Sequence, residues 1–499
     1  MPHLGMSHDD ALYLVSAQSL AQSHGYRIES LPGQPFQTKY PPMFPILLAL
    51  AWKISPSFPE NLPVAMLIAW LMLLPLVFFI HALFRNFGFG PGSSSLLTVL
   101  AVTSPWVSLL STTLMSDLPF LSLFLVSMLL AERALDPAQR SWIALGAGLA
   151  AGLAYLTRTA ALPIALTAPV SFLHRRQLLR GLLSLSGMLP TILSWQHWTS
   201  THRLFTSEAA LTYYTDYLAW QRATVSLDVL VRVVWHNLDA MVRSLAQLLV
   251  FDIAVVESPH FERIIAAGAL VGALRLVKQS GRLQYPAAAA GMAAMLLLYH
   301  YTPDPRLCLP LLPLILMGFW TEAKRIWGSV CGAWRSQATS GRVGAIAATA
   351  ILAGGGLFLV ASNVVGNTVF IPERYARCRS ELAERTAAYE WFRTSTPTEA
   401  TSYAYDDPVF YLYTGRRALG LTMPYGRIYH ADPDGEGNEF ARGVPKQARE
   451  HGLHYLFLTA TDFYREGGQR ARLTLDATAR DKGFREEFAA GQAVVYRSN

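Results

Sequence analysis

The residues best equipped for chemistry gather at the start of the chain. Asp9 and Asp10 are adjacent carboxylates, Tyr13 follows, and Lys39 and Tyr40 lead into Pro41-Pro42. Further on, Asp117, Arg158, His300, Tyr301, Asp304 and Arg306 interrupt or border apolar runs. A carboxylate can take the proton of an attacking hydroxyl. A lysine or arginine can stabilise charge that gathers on a leaving phosphate. A second carboxylate can raise its neighbour's pKa or help hold a cation. Each residue alone also has a plain structural reading. Asp117 precedes Pro119 and suits a helix cap, Arg158 can snorkel, and Arg306 can anchor at a membrane interface.

Other chemistries lack their signatures. There is no G-x-x-x-x-G-K-[ST] loop, no H-E-x-x-H and no G-x-S-x-G elbow. Gly88, Gly90 and Gly92 lie in a tight connection without the strand-to-helix setting of a dinucleotide fold. His3/His8 and His197/His202 are spaced off a single helical face, and Cys308, Cys331 and Cys378 form no C-x-x-C pair.

The elements that must position the candidate residues are set by composition. Only 15% of the 499 residues are charged while 52% are hydrophobic, which describes a membrane protein joined to a soluble portion. The formal net charge of +7 then reflects Lys and Arg collected in cytoplasmic loops rather than affinity for nucleic acid. Membrane-length apolar runs fall near 63–85, 93–111, 118–134, 142–157, 159–173, 179–195, 262–278, 283–301, 307–323 and 343–362. Met43 to Trp52 is apolar but too short to cross, and predicts an interfacial or re-entrant helix.

Alternate loops differ in basic content. One set carries Arg85, Arg133, Arg140, Arg175, Arg176, Arg180, Lys278, Arg282, Lys324, Arg325, Arg335 and Arg342, and is assigned to the cytoplasm. The other set contains the lead-in, Ser116-Asp117, Arg158, the segment 196–261, His300 to Arg306 and everything after about 363, and is assigned outside. All the candidate residues therefore fall on one outer face. Ionisable groups at such boundaries commonly mark substrate paths.

The segment 196–261 is aromatic first, with Tyr213, Tyr214, Tyr217 and Trp220, and amphipathic from Val229 to Val250, as for a lid, a lateral wall or a re-entrant element. From about 372 the charges return. Helices are predicted at Glu381–Arg393, Pro408–Tyr413 and Phe440–His451, and strands at Thr401–Tyr405, Tyr455–Thr459 and Ala493–Arg497, a small α/β domain. Asp406-Asp407 precedes Pro408 and is read as a turn or helix cap ahead of a cation site. The fold class is thus mostly α, a polytopic membrane helix bundle with a small C-terminal extracytoplasmic α/β domain. Its divisions are an outer acidic segment at 1–62, a bundle at 63–362 and a soluble domain at 363–499.

This set meets the needs of glycosyl transfer from a lipid phosphate. Asp9 or Asp10 would be the base, Lys39, Arg306 and Arg158 would meet the phosphate, and Asp117 would be the second acid. Two other classes remain open. A transporter or flippase for lipid-linked sugars would place its polar groups near the bilayer midplane and often shows related halves. A non-catalytic assembly protein would leave the acids without a role.

With these residues in view, a family resemblance emerges. Asp9-Asp10-Ala-Leu-Tyr13 followed by Lys39-Tyr40-Pro41-Pro42-Met43 resembles the first outer loop of GT-C membrane glycosyltransferases. The branch is that of the protein O-mannosyltransferases and lipid A aminoarabinose transferases. Ser116-Asp117-Leu-Pro119, Leu156-Thr157-Arg158 and Pro305-Arg306-Leu307 through Pro313 resemble later segments of the same families, and Tyr411 through Arg417 a turn of bacterial members. The resemblance implies a polyprenyl-phosphate sugar donor, an acceptor that is lipid A, another glycan or a protein, and inversion at the anomeric carbon. It implies Asp9 as catalytic aspartate, Asp10 as the acid beside it, Lys39 as the donor-phosphate lysine and Asp117 as the second-loop acid. Tyr13, Tyr40, His300 and Tyr301 are expected to bind substrate, and a divalent metal, if used, is expected on Asp9 and Asp117. In the family a glutamate follows the first aspartate and a transmembrane helix precedes it, whereas here Asp10 follows Asp9 and eight residues precede the pair.

Overall fold

The structure is a computed structural model. It describes residues 4–204, 209–224, 227, 229–251, 259–335, 339–420, 433–459, 461–462 and 468–498. All ten apolar runs predicted from the sequence are helical, but they differ in what they can do. By length and composition three helices qualify as membrane spans among the described residues: Leu62–Asn86, Leu178–His202 and Arg342–Ser395. A fourth forms if Pro91–Val102 and Pro105–Ser111, bent by 61°, count as one. The bend falls where Pro105 cannot supply an N–H to continue the preceding helix. The other predicted spans are shorter or carry more charge. Trp142–Thr157 has 16 residues, Gln284–Leu297 has 14, and Asp117–Ala134 includes Asp117, Glu132 and Arg133. Met43–Ile54 is a 12-residue helix, in keeping with its length in the sequence.

Close helix contacts in the bundle depend on small residues, since apolar helices in lipid associate by packing rather than by expelling water. A Cβ on Gly272 of Pro259–Ser280 would lie 2.0 Å from the carbonyl oxygen of Gly318 in Leu312–Arg335. A Cβ on Gly148 would lie 2.0 Å from the carbonyl oxygen of Ser184, where Trp142–Thr157 crosses Leu178–His202.

The amphipathic stretch after Val229 is a single helix, Leu230–Leu249, packed as a wall against the bundle. Its buried Asn237 donates to the carbonyls of Leu296, Leu297 and Tyr299, and Ser244 donates to that of Pro303. These bonds hold the 298–306 connection that carries Arg306. The predicted boundary at 362/363 lies inside a helix. Thr339–Val365 runs through a five-residue π turn, Gly366–Phe370, into Ile371–Ser395. Falling hydropathy past 362 marks the end of apolar surface, but arginine and glutamate sustain a helix in water as well as leucine does.

The C-terminal domain has a five-stranded sheet in the order β2-β1-β3-β5-β4. Its strands are β1 Thr401–Ala404, β2 Arg417–Gly420, β3 Tyr455–Leu458, β4 Phe484–Ala490 and β5 Ala493–Ser498. β1 pairs in parallel with β2 and β3, while β5 is antiparallel to β3 and β4. Side chains alternate across β3. Tyr455 and Phe457 pack with Phe392 and Phe410, whereas Leu456 and Leu458 pack with Val444 and Leu475. Helices thus cover both faces. The predicted β1, β3 and β5 are present, and β2 and β4 are additional, as is the helix Gly468–Asp481.

Substituting Gly272 by Leu is expected to force the Pro259–Ser280 and Leu312–Arg335 helices apart and to destabilise the bundle by about 1–3 kcal/mol. A fall in the melting temperature of the detergent-solubilised protein would register it, and an unchanged value would contradict the packing described.

Candidate functional site

The first helix, His8–Ala21, sets the geometry. Asp10 turns back onto the main chain, its carboxylate accepting from the N–H of Gly5 (3.0 Å) and of Ser7 (3.3 Å). Burial first, and then the nearby charge of Asp406, push its carboxyl up to about 7 against these bonds. Asp10 is thus a buried helix-start residue whose carboxylate does not join Asp9, whereas the sequence left either acid open as the base. Successive helix positions point about a quarter-turn apart, so fixing Asp10 inward turns Asp9 toward the bundle.

There Asp9 joins a network drawn from four distant segments. Its Oδ1 accepts from the Tyr40 hydroxyl at 2.5 Å and its Oδ2 from Arg306 Nη2 at 3.0 Å. Arg306 Nε donates to Asp117 Oδ2 at 3.2 Å, and Arg158 Nη1 donates to Asp117 Oδ1 at 2.5 Å. Asp117 opens the helix Asp117–Ala134, where the backbone dipole favours negative charge. Arg158 leaves the end of Trp142–Thr157 in an extended conformation. Asp304 shapes the turn that presents Arg306, accepting from the Leu307 N–H at 2.9 Å. Burial works against the charge of Asp9, but Arg306 and Lys39 outweigh it and hold the carboxyl well below the usual range. Tyr13 lies beneath this network, hydrogen-bonded to Ser116 at 2.8 Å, and serves as packing under Asp9.

Lys39 stands beside the network in an aromatic setting. Its Nζ is 3.1 Å from the ring centre of Tyr213, 4.8 Å from that of Tyr217 and 5.0 Å from that of Tyr40. Burial pushes the ammonium down to about 7, with Asp9 and Asp407 pulling it back up. The segment is held by Gln37, a residue the sequence did not single out. Gln37 Oε1 accepts from the N–H of Lys39 and of Tyr40, and its Nε2 donates to Ser16. His300 is buried behind Tyr217, 3.1 Å from its hydroxyl, and packs on Trp220 and Tyr301. Burial, then the charge of Lys39, lower its pKa to about 3, so it is a neutral wall residue. Tyr301 belongs to the same wall.

The C-terminal domain reaches this region through Asp406 and Asp407. Neither side chain caps the helix Asp407–Thr414, which corrects the expected cap. Asp407 instead accepts from Ser30 at 3.0 Å and from Tyr214, while His8 lies 3.5 Å from Asp406 and 3.0 Å from the Tyr214 hydroxyl. His8, Ser30 and Tyr214 were not legible as site residues because their partners lie about four hundred or two hundred positions away.

A small slot-like recess of about 30 Å³ adjoins the network. Asp117 and Arg158 stand at its polar end, and Phe120, Met292, Met295, Leu296, Leu307 and Leu309 line the rest. A divalent ion does not fit between Asp9 and Asp117 as arranged, because the Arg306 guanidinium already occupies that position. Among the described residues no group of three or more His, Cys, Asp or Glu converges on a common point.

Residues 39–193 match the family model described as dolichyl-phosphate-mannose-protein mannosyltransferase. The fold matches ArnT from Cupriavidus metallidurans bound to undecaprenyl phosphate, at a TM-score of 0.55 and 13% identity over 98% of this chain and 93% of that one. The chain thus has an ArnT-like fold, and its segment 39–193 is similar to that mannosyltransferase family. The fold also matches the archaeal oligosaccharyltransferase AglB from Archaeoglobus fulgidus, in complex with an inhibitory peptide and a dolichol-phosphate. That match has a TM-score of 0.54 at 13% identity, covering 98% of this chain and 70% of that chain. A comparison with curated proteins finds no match. The segment matching the family model contains Lys39, Asp117 and Arg158, while Asp9 and Arg306 join the site from outside it.

Lys39 is expected to make anion binding pH-dependent. Since its folded pKa is near 7, its charge is present below that value and lost above it, and affinity for a prenyl phosphodiester should fall between about pH 6 and pH 8.5. Lys39→Arg should flatten the trend. Titration of a farnesyl-phosphoryl hexose, whose charge is constant over this range, gives the comparison, and a flat wild-type profile would count against a titrating Lys39.

Proposed function

We propose that the protein transfers a sugar from a polyprenyl-phosphate donor to an acceptor at the extracytoplasmic face, with inversion at the anomeric carbon. The observation that carries this reading is the slot in which Asp117 and Arg158 meet a floor of methionine, leucine and phenylalanine. A charged head on a long hydrocarbon tail is the ligand such a boundary suits: guanidinium for the phosphate, apolar side chains for the prenyl chain. The bound undecaprenyl phosphate and dolichol-phosphate of the two similar structures accord with it. The basic loops at the opposite end of the bundle support the extracytoplasmic placement.

Within this reading Asp9, rather than Asp10, takes the acceptor proton as the acceptor oxygen attacks the anomeric carbon. The carbon–oxygen bond to the phosphate breaks, and its electron pair stays on the phosphate. Arg306, Arg158 and Lys39 stabilise that charge in a setting partly screened from water. Direct displacement inverts the anomeric centre. The aromatic wall of Tyr40, Tyr213, Tyr217 and Tyr301 offers faces against which a sugar ring can pack. The acceptor, whether lipid A, another glycan or a protein, approaches from the side of the C-terminal domain.

The test is transfer of radiolabel from polyprenyl-phosphate sugars by the purified protein in lipid. Asp9→Asn is expected to lower turnover by about 10²–10⁴-fold. Asp10→Asn should keep most of the activity and cost roughly 1 kcal/mol of stability through the weakened helix start. Equal activity of the Asp9 variant and wild type would remove Asp9 from the reaction.

A further inference from the structure

We infer that Arg306 is a transferable counter-ion, which neutralises Asp9 and Asp117 together until a lipid phosphate arrives, then passes its charge to the phosphate and frees Asp9 to act as base. This rests on the reading of the site as a lipid-phosphate glycosyltransferase.

The geometry of the pairs is unequal. Asp117 is held twice, by Arg158 at 2.5 Å and by Arg306 at 3.2 Å. Asp9 has one ion pair among the described residues, with Arg306 at 3.0 Å. Moving Arg306 therefore leaves Asp117 compensated by Arg158 and leaves Asp9 with the Tyr40 hydroxyl and the more distant charge of Lys39, without a direct ion pair. Arg306 can make the move because a guanidinium carries five N–H donors, and two of its nitrogens suffice for both carboxylates. The move is short as well, since Leu307 and Leu309, just after Arg306, line the slot that ends at Asp117 and Arg158.

The charges support a phosphate as the trigger. With Lys39 charged, below about pH 7, Arg158, Arg306 and Lys39 outnumber Asp9 and Asp117 by one, a preference for an anion that Asp304 beside Arg306 and Asp407 beside Lys39 reduce. The resting arrangement is otherwise unsuited to catalysis. A carboxylate paired to a guanidinium and accepting a hydroxyl hydrogen bond gives up stabilisation when it takes a proton. Transfer of Arg306 removes that penalty and places a cation on the leaving group in one motion. The acceptor O–H proton then passes to Asp9 Oδ2, the acceptor oxygen bonds to the anomeric carbon, and the phosphate leaves with the bonding electron pair beside Arg306 and Arg158. Arg306 binds and positions, and Asp9 alone exchanges a proton. A donor-free protein holds its base masked, which protects against misdirected proton transfer.

The test uses the full chain in detergent and farnesyl phosphate, which lacks a sugar, titrated calorimetrically at fixed pH. Asp9→Asn removes the competitor for Arg306 and is expected to tighten binding by about tenfold. Arg306→Gln weakens binding, and in that background Asp9→Asn should add less than about twofold. In an Arg158→Gln background the full gain should persist, since Arg158 pairs with Asp117. A gain of equal size with and without Arg306 would mean simple repulsion between Asp9 and the phosphate, and would overturn the hand-off. So would the near-isosteric Asp9→Asn binding no more tightly than wild type, a result that does not depend on the arginine variants folding. Failure of the wild type to bind farnesyl phosphate would instead overturn the lipid-phosphate reading itself.

Discussion

The site depends on one guanidinium. Arg306 joins a carboxylate from residue 9 to one from residue 117, and Arg158 closes the chain on its far side. Two acids close together repel, one buried and one half-buried, and a cation of matching geometry between them relieves that repulsion. Arginine supplies it because its planar fork addresses two acceptors at once. Placing the fork takes a specific scaffold. Asp304 forms the turn, while Asn237 and Ser244 of Leu230–Leu249 secure the connection that leads to it.

The C-terminal domain is part of that scaffold rather than an appendage. Asp407 is tied to Ser30 and Tyr214, and His8 sits between Tyr214 and Asp406. The C-terminal domain thereby grips the segments before and after Asp9 and Lys39. Apolar packing reinforces the grip, since Leu12, Ile28 and Leu31 share a core with Tyr214, Leu419 and Leu456. The continuous helix Arg342–Ser395 carries the chain from the bundle to this domain without a flexible joint, so the orientation of the two parts is fixed twice.

Helical content, the change to a soluble α/β domain and the grouping of Asp9, Lys39, Asp117, Arg158 and Arg306 were legible because each leaves a local trace. Apolar runs of bilayer length, returning charge, and ionisable residues at the ends of apolar runs can be read along the chain. The roles within the group were less legible. Asp10 looked equivalent to Asp9, and only the fold shows one carboxylate on the N–H of Gly5 and Ser7 and the other on Arg306. Strand β4 escaped notice because Phe484 to Ala490 is a charged edge strand that, among the described residues, is laddered to β5 alone. Gln37 escaped because its effect passes through backbone N–H groups, for which sequence carries no signal.

By itself, then, the sequence determined the membrane character of the chain, the class of its folds and the inventory of its acids and bases. Hydrophobicity and charge are properties of residues and persist in any conformation. Tertiary structure decided the pairing: which carboxylate faces the slot, which cation each acid holds, and that Asp406 and Asp407 serve the junction between domains instead of capping a helix. These are relations across hundreds of residues, set by how helices rotate and pack. Their strength comes from distance and burial, which no single segment contains.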